Sequence, residues 1–264
     1  MGSGSPQPLT HTEGAVQLLR SWGKVDQRDA LQRKLLATLR GPVIFEGLFN
    51  PRIEMSLKEW SELLAQDWSY TNWDDQILCY LAETPSFLRR SRDKTYRGQL
   101  DSELLQDVHT RYNAMLLTLD KARERLRHFE STGITEEKEF VHLAYQRIYG
   151  ISLLVATIFN CLVSSLSTGN PGLDAEAESF SQEVLILAEQ SHRYRPLGSS
   201  YITLCLIVAY VGASWPATRS AVTNMLNEYR CDFPWLQSTF TVKNLDATSR
   251  YLRCENTSSL CTLG

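Results

Sequence analysis

Ile151-Ser-Leu-Leu-Val-Ala-Thr-Ile-Phe-Asn-Cys-Leu-Val163 decides the fold. Wound as a helix it is apolar on nearly every face, and no charged residue occurs between positions 148 and 173. A helix that is apolar all round is either the buried centre of a large domain or a membrane span. A second uncharged stretch, residues 196–218, reads the same way. A span needs about 20 mostly apolar residues. The strongly apolar part of the first stretch is shorter, and it carries Thr157, Asn160, Cys161, Ser164 and Ser165. The second carries Ser199, Ser200, Thr203 and Tyr210. Neither end has the Lys/Arg cluster that sets membrane orientation. Both stretches are read as core helices, with no membrane expected.

Working outward, the chain of 264 residues is long enough for one large core, burying roughly 70–75% of the unfolded surface. A net charge of −3 gives no reason to expect nucleic acid. Residues 1–9 are uncharged, lack an apolar run and read as a loose tail or a scar rather than a signal peptide. The six cysteines contain no Cys-x-x-Cys, and Cys161 and Cys205 fall in the apolar stretches, so reduced thiols of a nuclear or cytoplasmic protein are expected. The sequon at Asn256 means little without a secretory signal.

Periodicity predicts helices throughout. Residues 11–22 and 29–40 are amphipathic, and Gly41-Pro42 is expected to break or kink the second. Ser56-Leu-Lys-Glu59 is a capping box. A helix from Thr71 should end near Leu81, with Thr84-Pro85 opening a new one. Leu105, Val108, Tyr112, Met115, Leu119, Ala122, Leu126 and Phe129 alternate steps of three and four. They form either a homodimeric coiled-coil seam or the inner stripe of a long helix packed on the core. The mixed charges of 120–127 read as a solvated face. Asp174 is expected to cap a helix to about His192, Pro216 to open another, and a short helix to lie around 244–253. No strand pattern emerges. The expected fold is all-α, one globular domain of about ten helices at 10–237 around two buried central helices, with a polar tail at 238–264.

Standard chemistries leave no signature. There is no His-Glu-x-x-His, no zinc-spaced Cys pair, no Gly-x-Ser-x-Gly and no Gly-rich phosphate loop, so neither metal nor cofactor is expected. More informative are the polar groups of the core helices. His142, Tyr145, Gln146 and Tyr149 share one helical face at i, i+3, i+4 and i+7, and Asn160 follows three turns on. Tyr201, Thr203 and Cys205 come from the second buried helix. Together they either line a small-molecule pocket or are each satisfied by local networks and i−4 carbonyls.

Several segments are distinctive. His11-Thr-Glu-Gly-Ala-Val-Gln-Leu-Leu19, the run from Ala144 to Asn160, His192-Arg-Tyr-Arg-Pro-Leu-Gly-Ser-Ser-Tyr201 and Trp215-Pro-Ala-Thr-Arg219 with Tyr229-Arg-Cys-Asp-Phe-Pro234 resemble the regulatory domain of fungal binuclear zinc-cluster transcription factors. The resemblance covers roughly residues 10–240. It implies an all-helical domain, transcription regulation of metabolic or secondary-metabolite genes, and in some members a bound effector such as a sterol. The sequence has no six-cysteine cluster and no basic dimerisation coil, so specific DNA binding by this chain is not expected.

Three functions follow as expectations. The first is a regulatory domain sensing a small apolar metabolite. The second is an enzyme of fungal secondary metabolism, a cofactor-free cyclase or isomerase using Tyr149, His142 or Tyr201 as acid/base groups. The third is a dimerisation module working through the seam from Leu105 to Phe129.

Overall fold

The computed structural model describes residues 11–21, 30–49, 53, 55–56, 58–60, 73–97, 102–167, 170–232 and 242–254. Among them there are nine α-helices with both ends placed, a helical turn at 58–60, two 3-10 turns and no strand. The fold is all-α. The chain divides into two compact units, residues 1–86 and 87–264, each described below by itself. The sequence-based boundary at 237/238 lies within the second unit. The tail 1–9, the Asn256 sequon and Cys261 lie outside the described residues.

In the first unit, α1 (His11–Ser21) packs on α2 (Ala30–Phe49), burying Val16 and Leu19. The expected break at Gly41-Pro42 does not end α2, which runs on to Phe49. Val43, Ile44 and Leu48, all fully buried, lie just beyond the proline. Burying three such side chains returns about 1.5–3 kcal/mol each, more than the ~3 kcal/mol an interior proline costs. The capping box forms as expected: the Glu59 N–H donates to Ser56 Oγ at 3.2 Å, and the Ser56 N–H to Glu59 Oε2 at 2.7 Å.

The boundary between units falls inside α3 (Trp73–Arg97). Two helices were expected here, and one forms. Thr84 is not an N-cap; its hydroxyl donates back to the Tyr80 carbonyl at 2.9 Å, within a helix that carries Pro85 in its interior. Leu81, Thr84 and Leu88 are fully buried, so packing holds the helix together across the proline.

The second unit is organised around α5 (Glu139–Leu166), preceded by a 3-10 turn at Glu136–Lys138. Residues 152–163 of α5 are all buried. Its most extensive partner is α4 (Ser102–Ser131), followed by α6 (Pro171–Ser191) and α7 (Ile202–Gly212). Residues 136–166 are long and apolar enough to cross a membrane, but 78% of their most apolar window is buried inside the chain's own fold. In α7 every residue but Leu204 is buried, against α5, α6, α8 (Pro216–Arg230) and α9 (Val242–Leu252). The two uncharged stretches are thus the two buried helices.

The heptad stripe on α4 faces α5. Val108, Tyr112, Met115, Leu119, Ala122 and Leu126 are buried, with Leu104 in place of Leu105 at the first position and Phe129 only half-buried. A dimer through the same residues would require α4 to leave α5. Between them the helices turn at Ser131-Thr-Gly133, where Gly133 has φ +80°, a conformation open mainly to glycine.

One further helix start differs from expectation. Asn170, not Asp174, caps α6: its Oδ1 accepts from the Gly172 N–H at 3.0 Å, and Pro171 occupies the first turn. The short helix expected around 244–253 forms as α9 within the polar tail, and its Leu245 and Leu252 are buried. There the Tyr210 hydroxyl donates to Asp246 at 2.7 Å, and Arg253 Nη2 to the Val211 carbonyl at 2.7 Å.

Candidate functional site

Three helices leave an open groove of about 490 Å³. Arg123, Leu126, Arg127 and Glu130 reach it from α4, and Glu183, Ile186, Leu187 and Gln190 from α6. Both sets run i, i+3, i+4, i+7, so each is one strip along its helix. Tyr149 of α5 also lines the groove. The heptad stripe explains why α4 flanks α5 here: Leu126 is buried while Arg123 and Arg127, on either side of it, reach the rim.

A charged bar ties the two strips together. Arg123 Nε and Nη2 fork onto the two carboxylate oxygens of Glu183, each at 3.1 Å, while its Nη1 holds Asp120 at 2.5 Å. The Tyr149 hydroxyl donates to the same Glu183 carboxylate. Burial, then the hydrogen bond to Glu183, push the Tyr149 phenol above its ordinary value of 10. A tyrosine so placed donates a hydrogen bond and is a poor proton acceptor. Burial works against the Arg123 charge, but the hydrogen bonds and charges of Glu183 and Tyr149 together outweigh it and raise the guanidinium further.

Of the eight residues singled out from the sequence, Tyr149 lines this groove; the others fall into separate clusters. His142 is 2% exposed at the start of α5, its ring nitrogens taken by the Tyr194 hydroxyl at 2.7 Å and Glu130 Oε1 at 3.0 Å, with Arg193 also at 3.0 Å. Tyr145 lies against Phe129, ring centres 5.2 Å apart. Gln146 and Tyr201 share Ser191, whose hydroxyl is 3.2 Å from Gln146 Oε1 and 3.3 Å from the Tyr201 hydroxyl. Tyr201 and Cys205 crowd Gly150, where an added Cβ would sit 2.9 Å from Tyr201 Cε2 and 3.4 Å from Cys205 Sγ. Burial pushes the Cys205 thiol and the Tyr201 phenol well up, so neither is an available base. Thr203 Oγ1 and Gln146 Nε2 are buried with no hydrogen-bond partner among the described residues.

Asn160 belongs to a fourth cluster. Its Nδ2 donates to the Tyr112 hydroxyl at 3.0 Å, the Leu173 carbonyl at 3.1 Å and Glu176 Oε2 at 3.1 Å, joining α4, α5 and α6. Thr157 and Ser152 bond back to the carbonyls of Leu153 and Ile148, both at 2.8 Å. For these residues the local-network reading describes what the side chains do.

The connector 192–200 is held by Arg195. Its Nε and Nη2 fork onto Asp232 at 2.6 and 2.8 Å, and its guanidinium lies 4.9 Å from the centre of the Tyr229 ring. The Asp232 carboxyl is held below its usual range, by the Arg195 hydrogen bond above all. Burial, countered by Arg195, pushes the Tyr229 phenol up to about 12.

Sequence reasoning missed Arg123, Arg127, Glu183 and Gln190 as groove residues. The run 120–127 reads as a solvated face because its charges mix signs; nothing in the sequence links Arg123 to a carboxylate sixty positions on. Among the described residues no three His, Cys, Asp or Glu side chains converge as a metal would need. No family model, no curated protein and no solved structure matches the chain.

Proposed function

We propose that this chain is a regulatory helical domain that senses a small molecule, of the fungal transcription-factor type, and acts in control of metabolic or secondary-metabolite genes in the nucleus or cytoplasm. The observation that carries the reading is the open groove between α4 and α6, lined by Tyr149 and tied across by the Arg123–Glu183 bar. The resemblance of the Arg195-Pro-Leu-Gly-Ser-Ser connector and its flanks supports the regulatory class.

A groove walled by two helices that are bridged at one point suits a sensor. A ligand touching both strips binds best at one spacing of α4 and α6, and so draws the population toward that spacing. Its leverage is limited to its difference in affinity for the two spacings. The effector need not be wholly apolar, because more than half of the lining residues are charged or polar. Hydrogen exchange is the test. Fractionated metabolite extract of the source organism should slow exchange in peptides covering 123–130 and 183–190; uniform exchange with every fraction overturns the reading.

A second reading, a cofactor-free cyclase or isomerase, keeps one specific support: the Tyr149 hydroxyl, hydrogen-bonded to Glu183, lines the groove. There Tyr149 could turn its proton from Glu183 onto a substrate oxygen as a hydrogen-bond donor, while burial keeps it from acting as a base. If Tyr149→Phe leaves the host's metabolite profile unchanged, the enzyme reading is lost.

A further inference from the structure

The charges around the groove are not equivalent. Glu183 is met by Arg123 and Tyr149, Arg123 also by Asp120, and Glu130 by His142. Arg127 lines the same groove one turn beyond Arg123, exposed, and its guanidinium has no hydrogen-bond or ion-pair partner among the described residues. The lining also holds three aliphatic side chains. Leu126 and Leu187 are buried below the rim, and Ile186 leaves 56% of its surface in solvent. An uncommitted guanidinium on one wall and an exposed branched aliphatic side chain on the other are complementary to an anion and a hydrocarbon in a single molecule.

We infer that the groove takes a small amphipathic monocarboxylic acid, its carboxylate on Arg127 and its hydrocarbon body across Leu126, Ile186 and Leu187. The inference rests on the sensing function proposed above and narrows its ligand. A planar guanidinium receives a carboxylate through two parallel N–H···O bonds, a geometry no alcohol or amine reproduces. A neutral alcohol leaves Arg127 as it stands, and an amine brings like charge to it. A second carboxylate on the ligand would meet Glu130 or Glu183, whose charges are of the same sign. The groove volume lies within the range of small-molecule sites.

The test uses the full chain with methyl-labelled Leu and Ile, titrated with decanoate, decan-1-ol and decylamine, each below its micelle concentration. Decanoate should move the Leu126, Ile186 and Leu187 methyl signals and bind at least tenfold more tightly than decanol. Arg127→Gln should abolish that tenfold preference, and Arg127→Lys should keep part of it. Because Arg127 is exposed and unpartnered, both variants should fold as the parent does. Equal binding of decanol and decanoate, or an unchanged preference in Arg127→Gln, overturns the acid assignment while leaving a small-molecule groove in place. If none of the three probes moves those methyls, the acid assignment falls. The sensing reading is then decided by the exchange experiment with metabolite fractions, and a negative result there removes both.

Discussion

Glu178→Gln should be among the most costly single substitutions in the second unit. The Glu178 side chain, 4% exposed on α6, reaches the start of α8, where Trp215 at the N-cap provides no side-chain cap. Its Oε2 accepts from the Ser214 and Trp215 N–H groups at 2.7 and 3.1 Å. Its Oε1 accepts from the Thr218 hydroxyl and from Gln182 Nε2, the latter at 3.2 Å. One carboxylate from α6 thus satisfies the open end of α8. Glutamine keeps the volume but presents one acceptor and one donor. It can face its oxygen to the two N–H groups and its amide to Thr218, losing the bond from Gln182 and the charge on the rest. Charge-assisted bonds are worth about 1.5–3 kcal/mol against 0.5–1.5 for neutral ones. Losing that assistance at two or three bonds gives about 2–4 kcal/mol.

The pH dependence supplies a second check. Burial alone would raise the Glu178 carboxyl, but the Thr218 hydroxyl and the two backbone N–H groups outweigh it and hold it below its ordinary 4.5. A depressed carboxyl contributes stability that is fully present above its unfolded value and is lost as pH falls through the folded one. Denaturant unfolding of parent and variant should therefore differ by a constant 2–4 kcal/mol from about pH 8 to 5, narrowing below 4.5. A difference under about 0.5 kcal/mol at pH 7, or one that persists unchanged into acid, would refute the capping role assigned to Glu178.

Two other outcomes follow from geometry. At Gly150 an added Cβ meets Leu187 Cδ2 and Tyr201 Cε2, each at 2.9 Å, whereas at Gly14 nothing lies within 4 Å. Overpacking of about 1–3 kcal/mol less ~1 kcal/mol of helix propensity makes Gly150→Ala destabilising by up to about 2 kcal/mol, while Gly14→Ala should stabilise by about 0.5–1; thermal melts in which both variants are stabilised would contradict this. Tyr112, Tyr149 and Tyr201 are held above their ordinary 10, chiefly by burial, so in the native protein their absorbance step near 295 nm should come only with alkaline unfolding. A raised phenol contributes stability that is present below 10 and is lost as pH climbs past it. Should Tyr149→Phe remove a step near pH 10, the Tyr149–Glu183 bond is not formed in solution.

The hydrophobic pattern carries the fold because the buried helices leave a signature that no surface segment shares. Uncharged stretches fix α5 and α7, and the three-four alternation of Val108 to Leu126 fixes the inner stripe of α4. Local chemistry failed where packing overrode it: Pro42 and Pro85 read as helix boundaries, yet buried neighbours carry both helices past them. The polar residues divide differently. Tyr149 was found because it shares a face with His142 and Gln146, but that shared face runs past three separate partners: Glu130, Ser191 and Glu183. Spacing along one helix places residues on a side and says nothing of what faces them. The other groove residues depend on α4 and α6 lying beside the same helix, a relation set by tertiary packing alone.

The most direct test of the groove as a sensing site is a thermal melt of the parent and Ile186→Arg against fractions of the source organism's metabolites. Ile186 is exposed, so arginine there obstructs the groove without entering the core. A ligand at one hundred times its Kd stabilises by about 2.7 kcal/mol, a shift of several degrees for a domain of this size. The account predicts that at least one fraction raises the parent's Tm by that order and leaves Ile186→Arg where it was. If no fraction shifts the parent, or the active one shifts both proteins equally, the groove is not where this chain meets its ligand.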